Sequence, residues 1–417
     1  MFRALYNLVL LIALILTLPK FLWDAIRHRK YRKSFLEKLG LKIPQFSLPS
    51  KGPRLWIHAV SVGEAKAVAP LVKKIQEHLP DIAIVFSATT ETGLAEAKRS
   101  MPHLNHYFYL PLDFSWAIEE LKKRIEPTLL ILVESDFWYN LLSLSPHVIL
   151  VNGKISEGSA ARFRLLPFFA RKLFEHIDVF CLQSKRYASR FESLGIPASK
   201  IVVTGNLKFD QPFPHINIER WKKDLAITPA DRILTIGSTH DPEEEQLMEA
   251  LQPLMNFFPT LKILLVPRHP ERFSAVAAML ERKKIPFARF TDHIPKHERV
   301  ILVDEMGVLS SCYQLSELAI VGGSFVSHVG GHNIFEPAAL GVPVLFGPHM
   351  ESQKDLVDIV LQGGAGKQVT LAEVPDTVLK MLSDPPKAMR QAGIKLAEEV
   401  HGATARTWQK IETFLTK

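Results

Sequence analysis

The stretch LWIHAVSVGEAKAVAPLVKKI, residues 55–75, decides the fold. Its strand-like residues, Leu55 to Ala59, run into Ser61-Val62-Gly63-Glu64, and a helical pattern begins at once. An apolar strand feeding straight into a helix is the opening of a β-α-β crossover. Glu64 stands at the turn between them, and two readings compete for it. A carboxylate in a helix's first turn is favoured by the macrodipole. The same place, at the carboxyl end of a strand in an open α/β sheet, is where such sheets bind ligands. Taken alone, the stretch leaves both readings open.

The same rhythm extends outward in both directions. Strand candidates in the first half are 54–60, 82–88, 106–110, 128–134, 147–152, 179–184 and 201–205, with helical segments such as Ala65–His78 and Ser115–Ile125 between them. Nearly continuous leucine and β-branched runs suit parallel strands buried on both faces. FDQPFPHIN (209–217) breaks the pattern with prolines and reads as a linker. The pattern then restarts at 232–238, 261–268, 299–304, 317–323 and 342–347. A chain of 417 residues exceeds one comfortable core. The expected fold is therefore α/β, with two Rossmann-like doubly wound domains facing a cleft.

Composition narrows the function. The chain is 47% hydrophobic and 23% charged, as folded proteins are. Cys181 and Cys312 stand far apart and form no metal or redox pair, which suits a reducing compartment. The net charge is +8, and Arg27 to Lys42 holds seven Lys or Arg against the single acid Glu37. Nucleic-acid binding would call for basic residues interleaved with aromatics across a fold face; here the excess sits beside an apolar N-terminus instead. Ala4 to Leu18 is apolar except for Asn7, and no cleavage site follows it. That run is short for a full span, yet the basic cluster after it follows the positive-inside pattern. The expectation is an N-terminal membrane anchor, residues 1–26, spanning or lying on the bilayer, with the bulk of the chain on the cytoplasmic side.

Polar and glycine-rich segments gather at the strand ends. In the second half these are GSTHDPEEE (237–245), PRHPERF (267–273), DEMGVL (304–309) and GGSFVSHVGGHNIFEPAALGVPV (322–344). Backbone N–H groups at a loop-to-helix turn near Asn333, with Arg268 as counter-charge, would suit a phosphate, and Glu336 could take a ribose diol. The first half contributes Glu64, Glu134, Asn152, Lys154 and Lys208 at its own strand ends. No GxGxxG follows the first strand of either half and no GxxxxGK[ST] occurs, which disfavours ordinary dinucleotide and P-loop sites. His328 and His332 are separated by Gly330-Gly331 and lack a third ligand at suitable spacing, so no metal site is expected.

Taken in order, HAVSVGE, YLPLD, VTGNLKFD, STHDPEE, VPRHPERF, VGGSF and GGHNIFEPAALGVPVLFGPH, with the N-terminal segment, resemble the 3-deoxy-D-manno-octulosonic acid (Kdo) transferases. The resemblance implies an inverting, metal-independent GT-B glycosyltransferase that needs no cofactor. Its donor would be CMP-Kdo and its acceptor a lipid A precursor (lipid IVA) at the cytoplasmic face of the cell inner membrane, with membrane lipids as further partners and no nucleic acid. Residues 27–212 would form the acceptor-side domain and 213–417 the CMP-sugar-binding domain. Glu64 matches the family's proton acceptor, and Glu134 and Lys208 match positions assigned to transition-state stabilisation. Pro267 and Arg268, then Met306, Gly307 and Val308, then Asn333, Ile334, Phe335 and Glu336 match the CMP-binding segments. The chain departs from the family at Glu134-Ser135-Asp136-Phe137-Trp138-Tyr139-Asn140 and at Asn152-Gly153-Lys154-Ile155-Ser156, where Lys154 replaces a usual arginine and loses bidentate recognition. Two other readings remain: a GT-B transferase using another nucleotide sugar, and a non-catalytic membrane scaffold that binds nucleotide sugar or lipid.

Overall fold

Strands with nearly continuous apolar runs can be satisfied only inside a sheet covered on both faces, and this sequence builds two sheets with such strands at their centres. The computed structural model describes residues 1–27, 35–49, 51–292 and 297–416, with backbone alone for 18–27. Residues 28–34 of the basic run lie outside the described residues. The chain divides into two compact units, Met1–Gln211 with Val400–Lys417, and Pro212–Glu399.

In the first unit the strands are β1 (Arg54–Ala59), β2 (Ala83–Ala88), β3 (His106–Tyr109), β4 (Leu129–Val133), β5 (Val148–Gly153), β6 (Val179–Leu182) and β7 (Ile201–Val203). They are parallel throughout, in the order β3-β2-β1-β4-β5-β6-β7. Alternation along β1 shows how both faces are filled. Leu55, Ile57 and Ala59 enter one apolar cluster and Trp56 enters the other. Each fully buried large side chain of this kind contributes about 1.5–3 kcal/mol. The chain comes back to this unit at its end, a return that the alternation of strands and helices does not signal. Helix Ala403–Leu415 sends Trp408, Ile411 and Leu415 into the cluster that holds Leu55 and Ile57. The Asp210 carboxylate fastens its start by accepting from the N–H groups of Gly402 (2.7 Å) and Thr404 (2.5 Å).

The second unit repeats the plan with β8 (Arg232–Thr239), β9 (Leu261–Pro267), β10 (Phe287–Arg289), β11 (Val300–Leu302), β12 (Leu318–Val321), β13 (Val344–Phe346) and β14 (Gly366–Gln368). Its order is β10-β11-β9-β8-β12-β13-β14, again all parallel. The sequence pattern marks every strand here except the two edges. Phe-Ala-Arg and Gly-Lys-Gln are three-residue strands without an apolar run to announce them. In each sheet the strand order reverses once, between β1 and β4 in the first and between β8 and β12 in the second. Such switch points open a crevice at the carboxyl ends of the strands.

The expected N-terminal membrane anchor is corrected by the structure. A helix does run from Phe2 to Arg27, but among the described residues no helix is long and apolar enough to cross a membrane. The apolar run Ala4–Leu18, fifteen residues, would reach about 22 Å as a helix, against a hydrocarbon core of about 30 Å. Moreover, its start is fastened to the first unit. Phe2 packs edge-on to Tyr139 at 4.7 Å, Tyr6 donates to Asp113 Oδ2 at 2.9 Å, and Asn7 Nδ2 donates to Ser115 Oγ at 2.9 Å. Tyr6 and Asn7, which interrupt the apolar run near its start, are therefore docking groups. The inner-membrane localisation drawn from an anchor falls with it.

Candidate functional site

The segment that opened the sequence analysis folds as a strand, a turn and a helix, and it sits on one side of the first unit's switch point. Ser61 caps helix Val62–His78, accepting from the Glu64 N–H at 3.4 Å. Glu64 answers in kind: Oε2 accepts from the Val60 N–H at 2.7 Å, and Oε1 accepts from the Ser61 hydroxyl at 3.2 Å. Ser61 thus caps the helix, and the Glu64 side chain reaches back over the turn to the Val60 N–H and the Ser61 hydroxyl, so Glu64 has a structural role here. Its electrostatics go further. Burial pushes the half-buried carboxyl above its ordinary range; the Val60 N–H opposes this, the neighbouring Glu134 adds to it, and His58 and the Ser61 hydroxyl ease it. Burial thus outweighs the hydrogen bonds and the His58 charge that would lower the value.

Glu134, one residue past β4, stands on the other side of the switch point. It is 3% exposed, and its backbone is left-handed, with φ +63°. Lys208 Nζ lies 2.9 Å from its Oε1 and Lys154 Nζ 2.5 Å from its Oε2. Burial would raise this carboxyl, but the two ammonium groups prevail and hold it below the usual carboxylate range. Asn152 joins the segments: Nδ2 donates to Glu134 Oε1 at 3.3 Å, and Oδ1 accepts from the Leu207 N–H at 3.0 Å, which sets the turn carrying Lys208. Beneath them the fully buried His58 bridges Ser87 Oγ and Asp136 Oδ2, each at 2.9 Å. The structure therefore brings Glu134 and Lys208 into contact and places Glu64 within the field of Glu134. It draws in Lys154 and Asn152, both already among the strand-end residues singled out in the sequence, and adds His58.

In the second unit the segments after β8 and β12 face each other across the other switch point. Glu243, fully buried, accepts from the backbone N–H groups of His240 (2.9 Å), Gly323 (2.6 Å) and Phe325 (2.8 Å), so one carboxylate ties the glycine-rich loop to the end of β8. His240 Nε2 and His332 Nε2 lie 2.7 Å apart with near-parallel rings, and His269 meets His240 edge-on. Gly323, at φ +64°, leaves the room: a Cβ there would come within 2.6 Å of the His332 ring. Burial pushes both His240 and His332 down to about 4, and the charges of Arg268 and of neighbouring histidines act in the same direction. Arg268 is exposed and anchored by its N–H to the Thr239 carbonyl at 3.1 Å. The exposed Arg268 guanidinium beside these neutral imidazoles makes the loop cluster suited to an anion.

The remaining donor-site candidates stand on separate strand ends. Pro267 closes β9 and is buried. Met306, Gly307 (φ +88°) and Val308 form an open turn between β11 and helix Leu309–Leu315. Asn333 Oδ1 accepts from the Phe335 N–H at 3.1 Å and so starts helix Phe335–Ala339. Ile334 and Phe335 are buried, so their side chains serve the core and only their backbone could meet a ligand. Glu336 occupies the helix's first turn, half-buried. Sequence reasoning selected neither the His240–His332 pair nor the Glu243 clamp. Clustered acids and a histidine in STHDPEEE were the only signal, and they fix no partner without the topology.

Comparison with known proteins shows the family. Residues 33–211 match the family model described as 3-Deoxy-D-manno-octulosonic-acid transferase (kdotransferase). The 3-deoxy-D-manno-octulosonic acid transferase of Chlamydophila psittaci is 34% identical, over 99% of this chain and 96% of the relative. That of Haemophilus influenzae is 32% identical over the whole of both chains. Among solved structures, UDP-GlcNAc 2-epimerase from Neisseria meningitidis, bound to UDP-GlcNAc, superposes with a TM-score of 0.60 at 12% identity, over 86% of this chain and 100% of that one; this is a likeness of fold alone. With full-length identity above 30% to transferases of one activity, the chain belongs to the 3-deoxy-D-manno-octulosonic acid transferase family.

Proposed function

We propose that the protein transfers Kdo from CMP-Kdo to the tetraacylated lipid A precursor lipid IVA, with inversion and without a metal ion. Family membership supports the reaction class. The observation that carries the mechanism is the strand-end cluster in which Glu64 stands beside a lysine-bracketed Glu134. In the step we propose, an acceptor hydroxyl oxygen attacks the anomeric carbon of Kdo. The bond from that carbon to the CMP phosphate breaks, and its electron pair leaves on the phosphate oxygen. The hydroxyl proton passes to the Glu64 carboxylate. A carboxyl raised by burial is a better base than a free one, provided it is still ionised at the working pH. In the second unit the exposed Arg268 offers positive charge for the departing phosphate, and in the first unit Lys208 offers it for the polarised centre. Pro267, Met306, Gly307, Val308, Asn333, Ile334, Phe335 and Glu336 complete the proposed CMP site.

The test is direct. Purified protein is incubated with CMP-Kdo and lipid IVA in EDTA, and the products are read by mass. Mass increments of whole Kdo units are expected, and their number gives the count of transfers. CMP should compete with the donor and UDP should not. No increment with CMP-Kdo, or competition by UDP alone, would refute the assignment.

A further inference from the structure

Three chain segments converge on Glu134, and only two of them carry groups already given a role. The third brings Lys154, which directly follows β5. β4 and β5 are paired in parallel through Val133 and Val151, and the ladder runs on past the strand ends: Glu134 N–H donates to the Val151 carbonyl at 3.0 Å, and Lys154 N–H to the Glu134 carbonyl at 3.3 Å. Register alone thus sets Lys154 beside Glu134. Both carboxylate oxygens are taken, Oε2 by Lys154 and Oε1 by Lys208 with Asn152. The carboxylate is almost wholly buried, whereas the two lysine side chains are 37% and 40% exposed. The outward balance of the trio is one positive charge. A Cβ built on Gly63 would lie 4.0 Å from Lys208 Nζ, so this ammonium group faces the turn that carries Glu64.

We propose that Lys154 is a positioning residue for the transfer: by neutralising Glu134 it keeps Lys208 turned towards the Glu64 turn and keeps the Glu64 carboxylate ionised. The groups that act on Glu64 are Glu134, His58 and the donors Val60 N–H and Ser61 hydroxyl. Those that act on Glu134 are Lys208 and Lys154. Glu134 is the like charge that lifts Glu64, and two cations hold that charge in check. Without Lys154, Lys208 must serve Glu134 alone, and more of the Glu134 field reaches Glu64. The inference rests on the reading of Glu64 as the base.

The test compares wild type with Lys154→Met, Lys154→Gln and Lys154→Arg, each first checked for cooperative unfolding. The acid limb of the kcat profile should rise by about half a pH unit in Lys154→Met and Lys154→Gln, since removing a direct counter-charge shifts a carboxyl by one to three units and this effect is relayed. At a pH on that limb the same shift is a loss of about threefold. Lys154→Arg should restore both. The Glu64 carboxyl is titrated in parallel by 13C NMR of glutamate-labelled protein, which needs no turnover, and it should move by the same amount. A uniform loss of rate, with neither the limb nor the Glu64 titration displaced, would make Lys154 a mere staple and overturn the proposal. A changed KM for the lipid with an unmoved limb would make it an acceptor contact and overturn it too. A displaced Glu64 titration beside an unmoved rate profile would instead refute Glu64 as the base, which separates the two failures.

Discussion

Replacing Glu64 by glutamine and by alanine separates its two roles, because the structure prices each substitution differently. The carboxylate accepts from Val60 N–H and from the Ser61 hydroxyl, while the Ser61 side chain caps the helix by accepting from the Glu64 N–H, a bond that any residue at position 64 keeps. Glutamine can keep the first bond through its carbonyl oxygen, and its amide can donate to Ser61 Oγ in place of the second. Its cost in stability should be a few tenths of a kcal/mol, within the scatter for a conserved cap. Alanine loses both bonds and leaves the Val60 N–H to find water, at about 0.5–2 kcal/mol. Chemistry orders the pair differently. A general base contributes about 10²–10⁴ in rate, or about 3–5.5 kcal/mol of barrier, and neither variant can take a proton. Both should therefore lose turnover by at least about a hundredfold, although only alanine loses stability. Mass-resolved product formation with saturating CMP-Kdo and lipid IVA reads the first quantity, and urea unfolding reads the second. Turnover by Glu64→Gln within about fivefold of wild type, with the loss confined to alanine, would show that activity follows the cap and would refute the assignment of Glu64 as base.

Three further outcomes follow from the same coordinates. Ending the chain at Glu399 removes Trp408, Ile411 and Leu415 from the first unit's core, a loss of about 5–8 kcal/mol that approaches the whole stability of a domain; unfolding monitored by circular dichroism should find the first unit largely unfolded at 25 °C, and a native-like midpoint would refute this. Glu243→Ala strands the three backbone N–H groups of His240, Gly323 and Phe325, so CMP affinity measured by calorimetry should fall at least about tenfold while the fold survives; unchanged affinity would mean that the loop holds its shape unaided. His240 and His332 titrate near 4 in the fold, whereas a histidine in an unfolded chain titrates near 6.5. Between those values the unfolded chain binds more protons, so the second unit should lose stability as pH falls from about 6.5 to 4, and less so in His332→Asn. Urea midpoints that stay level from pH 7 to 4.5 in wild type would refute the buried neutral pair.

How much of this was legible in the sequence depends on the range over which each feature is encoded. The central strands announce themselves because burial on both faces makes nearly every position apolar, a demand met within a few residues, while the edges β3 and β7 show through short aromatic and β-branched runs. The edges β10 and β14 make no such demand. Likewise, the return of residues 400–417 to the first unit is a contact between chain ends, and an amphipathic helix does not state which sheet it covers. The N-terminal segment misled for a related reason: its hydropathy was read, but Tyr6 and Asn7 become meaningful only against Asp113 and Ser115, more than a hundred residues away. Glu64 was visible because its setting is local. The pairing of Lys154 with Glu134 was not, since it depends on the register of β4 against β5, and the meeting of His240 with His332 depends on β12 lying beside β8.

Backbone conformation gives an independent reason to look at these strand ends for chemistry. Glu134 (φ +63°), Asn152 (φ +52°) and Ser238 (φ +57°) are non-glycine residues in the left-handed region, and each lies at or just past the end of a central strand. The ladder slips at two of them, between Leu150 and Gly153 and between Gly237 and Thr239. A left-handed residue of this kind costs about 1 kcal/mol or more unless it is glycine, and asparagine bears it best. A sheet that had only to close would place glycine there, as the chain does at Gly205 and Gly323. At Asn152 the side chain repays the strain by joining Glu134 to the turn of Lys208, and glycine could not do so. At Glu134 the strain is offset by two ion pairs, yet those pairs exist only because the carboxylate has been brought there. Stability alone gives no reason to bury a charge, bend the backbone to hold it and then supply two cations to neutralise it. The arrangement is accounted for once the half-exposed ammonium groups have a negatively charged substrate to meet.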